Sequence, residues 1–349
     1  MNIIQNTLIK WFDDNRRDLP WRHDPTPYQV WLSEVILQQT RVNQGMDYYL
    51  RFIERWPTVI DLAKASEEEV LKMWQGLGYY SRARNLHHCA KQVVEEYGGQ
   101  FPADYEKLKQ LKGIGDYTAA AIASIAFNLP YAVVDGNVYR VLARLYEIDT
   151  PININDGQKL FARLANEILN REQPGLHNQA LMEFGALHCT PKNPNCLLCP
   201  LQAQCLAFEH QTIMQRPVKL QKVKVSTRYF NYLVIRINDS VYLHKRSDDD
   251  IWKNLYDFPC IESGKPMSVE EVVDTEEFQQ LLEGNSFKIT KVSPIHTHKL
   301  THRTILAQFI EIILEKKLLR IETKGLFLAR ETDLNNFPIP RLIDLYLNT

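Results

Sequence analysis

Apolar side chains recur at helical spacing through residues 4–12, 28–37, 48–56, 117–127 and 158–169. Each stretch predicts a helix with one buried face. Turn signals separate them, at Trp56-Pro57, Gly98-Gly99 and Gln173-Pro174-Gly175. The texture changes near residue 210. HQTIMQRPVKLQKVKVS (210–226) has no clear period and scattered cations, as a linker does. Beyond it, RYFNYLVIRI (228–237) and VYLHKR (241–246) predict two strands joined by a turn at Asn238-Asp239-Ser240. FKITKVSPIHTHKLTH (287–302) and RTILAQFIEIIL (303–314) also read as extended, and SVEEVVDTEEFQQLLEG (268–284) as an amphipathic helix. The pattern predicts a multidomain chain: an all-α domain over 1–209, a linker over 210–226 and a smaller α+β domain over 227–349. No internal repeat or low-complexity segment interrupts it.

Composition fits this division. The 349 residues are 45% hydrophobic and 24% charged, enough for two cores. No apolar run approaches the roughly 18 residues that span a bilayer. The start, MNIIQNTLIKWFDDNRRD, lacks the apolar core of a signal peptide. These features predict a cytoplasmic protein, nucleoid-associated in a bacterial cell, with no membrane partner. Net charge is −1, with −2 up to Arg216 and +1 beyond it. There is no overall basic excess, so any contact with nucleic acid must come from locally clustered cations and helix N-termini.

Candidate chemistry is concentrated in the helical part. Of six cysteines, Cys189, Cys196, Cys199 and Cys205 fall within seventeen residues, at gaps of six, two and five. Four thiolates in one loop (189–205) suit a [4Fe–4S] cluster or a zinc ion, and spacing leaves both open. A disulfide framework belongs to secreted chains, which nothing here suggests. Cys89 and Cys260 stand alone and read as buried thiols. Residues 104–126, DYEKLKQLKGIGDYTAAAIASIA, predict a helix ending near Leu111 and a second beginning at Asp116–Tyr117. Gly113 and Gly115 would take positive φ in the turn between them. Backbone N–H groups at such a helix start suit a phosphate, although an ordinary helix–helix turn has the same glycines.

Two carboxylates stand out. Glu34 lies in TPYQVWLSEVILQQTRV (26–42), where Thr26 and Pro27 predict a helix start. Its neighbours three and four positions away are Val30, Trp31, Leu37 and Gln38, a largely apolar stripe. Burial there would raise its pKa and keep it protonated near neutrality, as a general acid requires. A solvated or arginine-paired glutamate is the alternative. Asp135, in YAVVDGNVYRVLARL (131–145), follows an apolar run and precedes a helix, so it reads first as an N-cap. A capping aspartate held ionised by N–H donors could also face a developing cation.

The order of these motifs (hairpin, Val-Asp-Gly-Asn-Val-x-Arg-Val, four-cysteine loop) resembles the endonuclease III, or helix-hairpin-helix, superfamily. Within it, the chain is similar to the MutY family of adenine DNA glycosylases, which act on adenine opposite guanine or 8-oxoguanine. The likeness spans essentially the whole chain: LPWR (19–22), residues 26–42, WQGLGYYSRARNLH (74–87), the hairpin, VVDGNVYRVLAR (133–144) and NQALMEFGALHCTP (178–191). From about 227, including IWKNLYDFP (251–259), it resembles the MutT-like (Nudix) domain of that family.

The resemblance implies base-excision repair of double-stranded DNA carrying A:8-oxoG or A:G mispairs, by a monomer whose four cysteines hold a [4Fe–4S] cluster. It makes Glu34 the acid that protonates adenine and later activates water. Asp135 becomes the carboxylate that stabilises the sugar cation, and Asn137 a group that orients the glutamate and water. Tyr117 stands where lyase relatives place a nucleophilic lysine, which implies a glycosylase without strand cleavage. Trp21, Arg22 and Gln179 would form the adenine pocket. Gln39 and Tyr79 would wedge into the duplex beside the orphaned base. Gly113 and Gly115 would hold the DNA backbone. Thr301 and His302 would check for 8-oxoguanine, with Leu300 where the family places phenylalanine. Lys112 stands where the family usually has proline. Against this reading, an endonuclease III-like lyase is disfavoured by Tyr117 and the second domain. A non-catalytic iron–sulfur sensor is disfavoured by Glu34 and Asp135. A Nudix hydrolase is disfavoured because 268–284 lacks the Arg-Glu pair that would hold magnesium. His296, His298 and His302 could also suggest stray metal binding.

Overall fold

A computed structural model describes residues 3–220, 225–247, 251–300, 302–318 and 325–348. The chain divides into two compact units: Met1–Lys64 with Asn85–Gln221, and Ala65–Arg84 with Lys222–Thr349. No helix among the described residues is long and apolar enough to cross a membrane.

The helices are α1 (Ile3–Asn15), α2 (Pro27–Leu37), α3 (Val42–Arg55), α4 (Val59–Lys64), α5 (Glu67–Trp74), α6 (Ser81–Tyr97), α7 (Tyr105–Gln110), α8 (Asp116–Ala121), α9 (Gly136–Leu145), α10 (Asn155–Glu167), α11 (Pro174–Leu187) and α12 (Leu206–Glu209). The start of α2 is built by local chemistry. Thr26 and Gln29 close a reciprocal capping box, and Pro27 opens the first turn. The core of the first unit joins Leu8 and Phe12 of α1 to Val141, Leu142 and Leu145 of α9, Phe161 of α10 and Leu181 and Phe184 of α11. Cys189, Cys199 and Cys205 pack against this same core. The alanine-rich helix expected through 117–127 is α-helical only to Ala121. It continues as one π turn over Ile122–Ala126, where Ser124 Oγ accepts from Asn178 Nδ2 at 2.9 Å.

In the second unit the strands are β1 (Ser226–Ile237), β2 (Ser240–Lys245), β3 (Tyr256–Asp257), β4 (Cys260–Ser263), β5 (Phe287–Val292), β6 (His296–Lys299), β7 (Arg303–Leu314) and β8 (Leu326–Arg330). They form one mixed sheet of order β3-β2-β1-β7-β5, with β4 on β1, β6 on β7 and β8 on β2. β1 and β7 pair in parallel from Ser226↔Arg303 to Arg236↔Ile313. The β1–β2 turn is shorter than expected. Ile237 pairs with Ser240, so only Asn238 and Asp239 lie outside the ladder, and Asn238 takes φ 53°. The single helix read over 268–284 is two, α13 (Val269–Val273) and α14 (Glu276–Leu282). Thr275 explains the break, because its side chain caps α14 by accepting from the Phe278 N–H. A last helix, α15 (Arg341–Leu347), ends the unit.

Segment 65–84 belongs to this second unit through specific bonds. Lys72 Nζ donates to Phe337 O (3.1 Å), Gln75 Nε2 to Asp344 Oδ1 (3.2 Å), Tyr80 OH to Ile339 O (3.1 Å) and Arg84 Nη1 to Lys253 O (2.9 Å).

Candidate active site

Glu34 rides on α2 among buried Val30, Trp31 and Val35. Its carboxyl is crowded by protein yet keeps some solvent access. Burial raises its pKa to about 7; a hydrogen bond from Tyr117 and the Arg22 charge pull the other way, and Asp135 adds to the rise. Tyr117, in the first turn of α8, donates its O–H to Glu34 Oε2 at 2.5 Å. Its own pKa is pushed well above the usual value by burial and by the nearby Glu34 and Asp135 charges.

Asp135 caps α9. Oδ1 accepts from the Val138 N–H (2.7 Å) and Oδ2 from Asn137 Nδ2 (2.7 Å). Burial raises its pKa despite these donors, which hold the rise in check together with Arg140. The N-cap thus favours the anion, as expected, but burial outweighs it. Asn137 bonds to the aspartate side of the site. Its amide is placed between Asp135 and Arg140, whose Nη2 donates to Asn137 Oδ1 at 2.9 Å. It therefore orients the aspartate, and no bond to Glu34 is seen among the described residues. Gly185 of α11 permits this packing, because a Cβ there would lie 2.7 Å from the Asn137 Cβ.

Arg22 and Gln179 share a cavity of about 220 Å³ whose walls include Arg17, Asp18, His23 and Leu176. Trp21 is instead buried, edge-on to Tyr49 with ring centroids 5.1 Å apart. Glu34 is not a wall of this cavity; the Arg22 charge is what reaches it. Beneath the cavity lies a residue that the sequence pattern did not single out. Glu183, on α11 and 2% exposed, accepts from Arg17 and Arg22 together. Burial alone would raise its pKa, but those bonds win and lower it to about 2. The available signal was an acidic residue standing alone in an apolar helix, one turn after Gln179.

Two expected DNA-contacting features carry backbone strain. Gln39 is exposed with φ 57°, and Tyr79 is 46% exposed with φ 49°. Left-handed backbone at non-glycine residues costs about 1–3 kcal/mol and persists where surrounding structure enforces it, often at functional sites. In the hairpin, Gly113 has φ 81° and lies against Asn85, whereas Gly115 has φ −96° and open space at its Cβ position. Only the first glycine is required by conformation, contrary to the expectation for both.

The four loop cysteines are free thiols around one neighbourhood. Burial raises the pKa of Cys199 to about 11, and the charges of Cys189, Cys205 and Cys196 all push the same way. Arg144 Nη1 approaches Cys189 Sγ at 3.4 Å and donates to Thr190 O at 2.7 Å. Arg140 Nε donates to Cys189 O (2.7 Å), and its Nη2 to Gly185 O (2.6 Å). Among the described residues no three donors converge as a single metal ion demands. Four thiols in one loop whose anionic forms repel one another are a donor set that a cationic centre would neutralise, and in number they fit a [4Fe–4S] cluster.

In the second unit, Tyr79, Tyr80, Ser81, Arg84, Trp252, Leu300, His302 and Arg303 line a cavity of about 430 Å³. Leu300 and His302 reach it from the β6–β7 turn, where the Leu300 N–H donates to Arg303 O at 2.7 Å. Thr301 lies outside the described residues. The structure thus brings Tyr79 and His302 to one place from distant parts of the sequence.

Comparison with known proteins follows the same division. The family described as HhH-GPD superfamily base excision DNA repair protein matches residues 32–168, and the NUDIX domain matches residues 231–349. Among solved structures, a thermostable thymine-DNA glycosylase is similar over 60% of this chain and 96% of its own, with TM-score 0.55 and 30% identity. A non-covalent endonuclease III–DNA complex is similar over 60% of this chain and 94% of its own, with TM-score 0.52 and 25% identity. The adenine DNA glycosylase of Homo sapiens is 48% identical over 214 residues, 58% of this chain and 39% of that protein. The adenine DNA glycosylase of Buchnera aphidicola subsp. Baizongia pistaciae is 34% identical over 319 residues, 90% of this chain and 87% of that protein. With a likeness that runs through both the helical and the Nudix parts, the chain belongs to the adenine DNA glycosylase family.

Proposed function

We propose that the protein hydrolyses the N-glycosidic bond of adenine mispaired with 8-oxoguanine or guanine in duplex DNA, as a monomer in the cytoplasm, leaving an abasic site and an unbroken strand. The observation that carries this reading is the Glu34–Tyr117–Asp135 constellation. Two carboxylates with different surroundings act on each other electrostatically, which is how one site can run acid and ion-pair chemistry together. Adenine leaves readily only when a ring nitrogen is protonated. Glu34, with a pKa near 7, carries that proton at neutral pH and can afterwards take one from water. Asp135, held by the Val138 and Asn137 donors, faces the cationic sugar. Tyr117 keeps the acid in place and offers no amine, so no Schiff base with the sugar can form.

The base must leave the helix stack first, at a cost of a few kcal/mol. Gln39 wedges into the space it vacates, Gly113 and Gly115 seat a phosphate, and Arg22 and Gln179 receive the adenine, while Trp21 stays buried against Tyr49; the resemblance gives Tyr79 a wedge role as well. In the second unit, His302 meets the opposing 8-oxoguanine in the cavity shared with Tyr79, and the resemblance assigns Thr301, outside the described residues, to the same check. Cys189, Cys196, Cys199 and Cys205 would hold a [4Fe–4S] cluster. When bound, that cluster supplies a structural cross-link, since its irons leave no open position for substrate.

A duplex with adenine opposite 8-oxoguanine tests the proposal. Adenine should be released, and the strand should break only after alkali. Breakage without alkali would make the protein a lyase, and absence of free adenine would end the glycosylase reading. Glu34→Gln should abolish release while the duplex still binds.

A further inference from the structure

We infer that Glu183 is the positioning residue of the base-binding cavity: its buried carboxylate locks Arg17 and Arg22 together, so that Arg22 meets the base in one orientation with its charge partly compensated. The inference rests on the proposed adenine chemistry and specifies what tunes it.

The geometry is bidentate on both sides. Glu183 Oε1 accepts from the Arg17 backbone N–H (3.0 Å), Arg17 Nε (2.8 Å) and Arg22 Nη1 (3.1 Å). Oε2 accepts from Arg17 Nη2 (2.6 Å) and Arg22 Nη2 (2.9 Å). Arg22 Nη1 also donates to Arg17 O at 2.9 Å, which ties the two arginines to each other. Such fork-to-carboxylate pairing fixes the plane of a guanidinium as well as its position. Both arginines line the cavity that also holds Gln179, whereas Glu183 is buried and is not one of its walls.

The cluster's net charge matters because Arg22 acts on Glu34. The other groups that face Glu34 are the Tyr117 hydroxyl and the Asp135 carboxylate. One carboxylate between two guanidinium groups leaves one positive charge in the cluster. Removing Glu183 leaves two, which favours ionised Glu34 and drains the proton it is to donate. Removing Arg17 leaves Glu183 to offset Arg22 alone, which favours the protonated form. The two changes therefore move Glu34 in opposite directions, which a merely structural role would not do.

Single-turnover adenine release is measured against pH for the full-length protein. Glu183→Gln should raise the half-saturating duplex concentration and shift the alkaline limb to lower pH by roughly half a unit to one unit. Glu183→Asp should return the limb toward the parent position, because the charge is kept. Arg17→Met should shift it to higher pH. Infrared absorption of the protonated Glu34 carboxyl, isolated as the difference from Glu34→Gln, reads the same midpoints without turnover. If the parent protein releases no adenine, the functional reading falls, while the infrared midpoints still decide this one. If Glu183→Gln does not fold, Arg17→Met decides alone, since its arginine is partly exposed. Midpoints that stay in place while melting temperatures fall would overturn the inference, as would an acid shift in Arg17→Met.

Discussion

At the scale of single residues, the clearest consequence concerns proton occupancy. Glu34 carries its proton up to a pH of about 7, so the rate of base release should be level just below that pH. It should fall again at the acid pH where Asp135, whose pKa burial raises, takes up its own proton. Above a pH of about 7 the rate should fall about tenfold per pH unit. Tyr117→Phe removes a hydrogen bond that favours the ionised form, so the descending limb should move to higher pH. A limb that stays put would separate Tyr117 from the titration. Stability responds with both signs. Glu183 is depressed from the ordinary 4.5 to about 2, so its contribution is full above pH 4.5 and is lost as pH falls toward 2. The difference corresponds to roughly 3 kcal/mol. Denaturant midpoints between pH 5 and pH 2.5 should show it, and Glu183→Gln should flatten that slope. Glu34 acts oppositely, since its raised value removes stability as pH climbs from 4.5 to 7. The apolar stripe around Glu34 was legible in sequence because its burial is built by neighbours on one helix. Glu183 was not, because its arginine partners lie 161 and 166 positions away.

At the scale of elements, the N-cap and the proposed ion-pair role meet in Asp135 and can be separated. Asparagine caps about as well as aspartate, whereas alanine loses about 1 kcal/mol. Asp135→Asn should therefore melt close to the parent and release no adenine, and Asp135→Ala should lose both. Equal loss of melting temperature in the two variants would mean that the charge, not the cap, holds the start of α9. The hairpin offers a second separation. Gly113→Ala meets a φ of 81° and a contact of 2.8 Å to the Asn85 Cβ, whereas Gly115→Ala meets open space. Unfolding free energy should drop by about 1–3 kcal/mol for the first and hardly change for the second. Duplex affinity should fall for both, because a methyl group at residue 115 occupies room beside the α8 N-terminus that the phosphate needs. The alternation of helix and strand was legible wherever one face is buried. The Thr275 break and the π turn were not: the first depends on which of several polar residues caps, and the second falls in an alanine-rich run whose periodicity reads as plain α-helix.

At the scale of the whole molecule, the segment 65–84 shows where sequence order misleads. It lies within the helical stretch of the chain yet joins the second unit, because its bonds run to residues 253 and 337–344. Contacts between such distant segments leave no periodic trace. The cysteine loop raises a parallel question, since four thiolates without an open site look remote from chemistry. Arg140 supplies the link. One guanidinium donates to Cys189 O and Gly185 O on the loop side and to Asn137 Oδ1, the partner of Asp135, on the other. If the loop holds the proposed cluster, losing it would release Arg140, and Asp135 would lose its orientation with no group near the substrate having changed. Arg140→Met should therefore slow adenine release while the visible absorbance of the cluster survives. Cys199→Ser should lose that absorbance and slow release as well. The double variant should be little slower than the worse of the two, because both act through one chain of contacts. Rate losses that multiply would show that the loop and the carboxylate act independently.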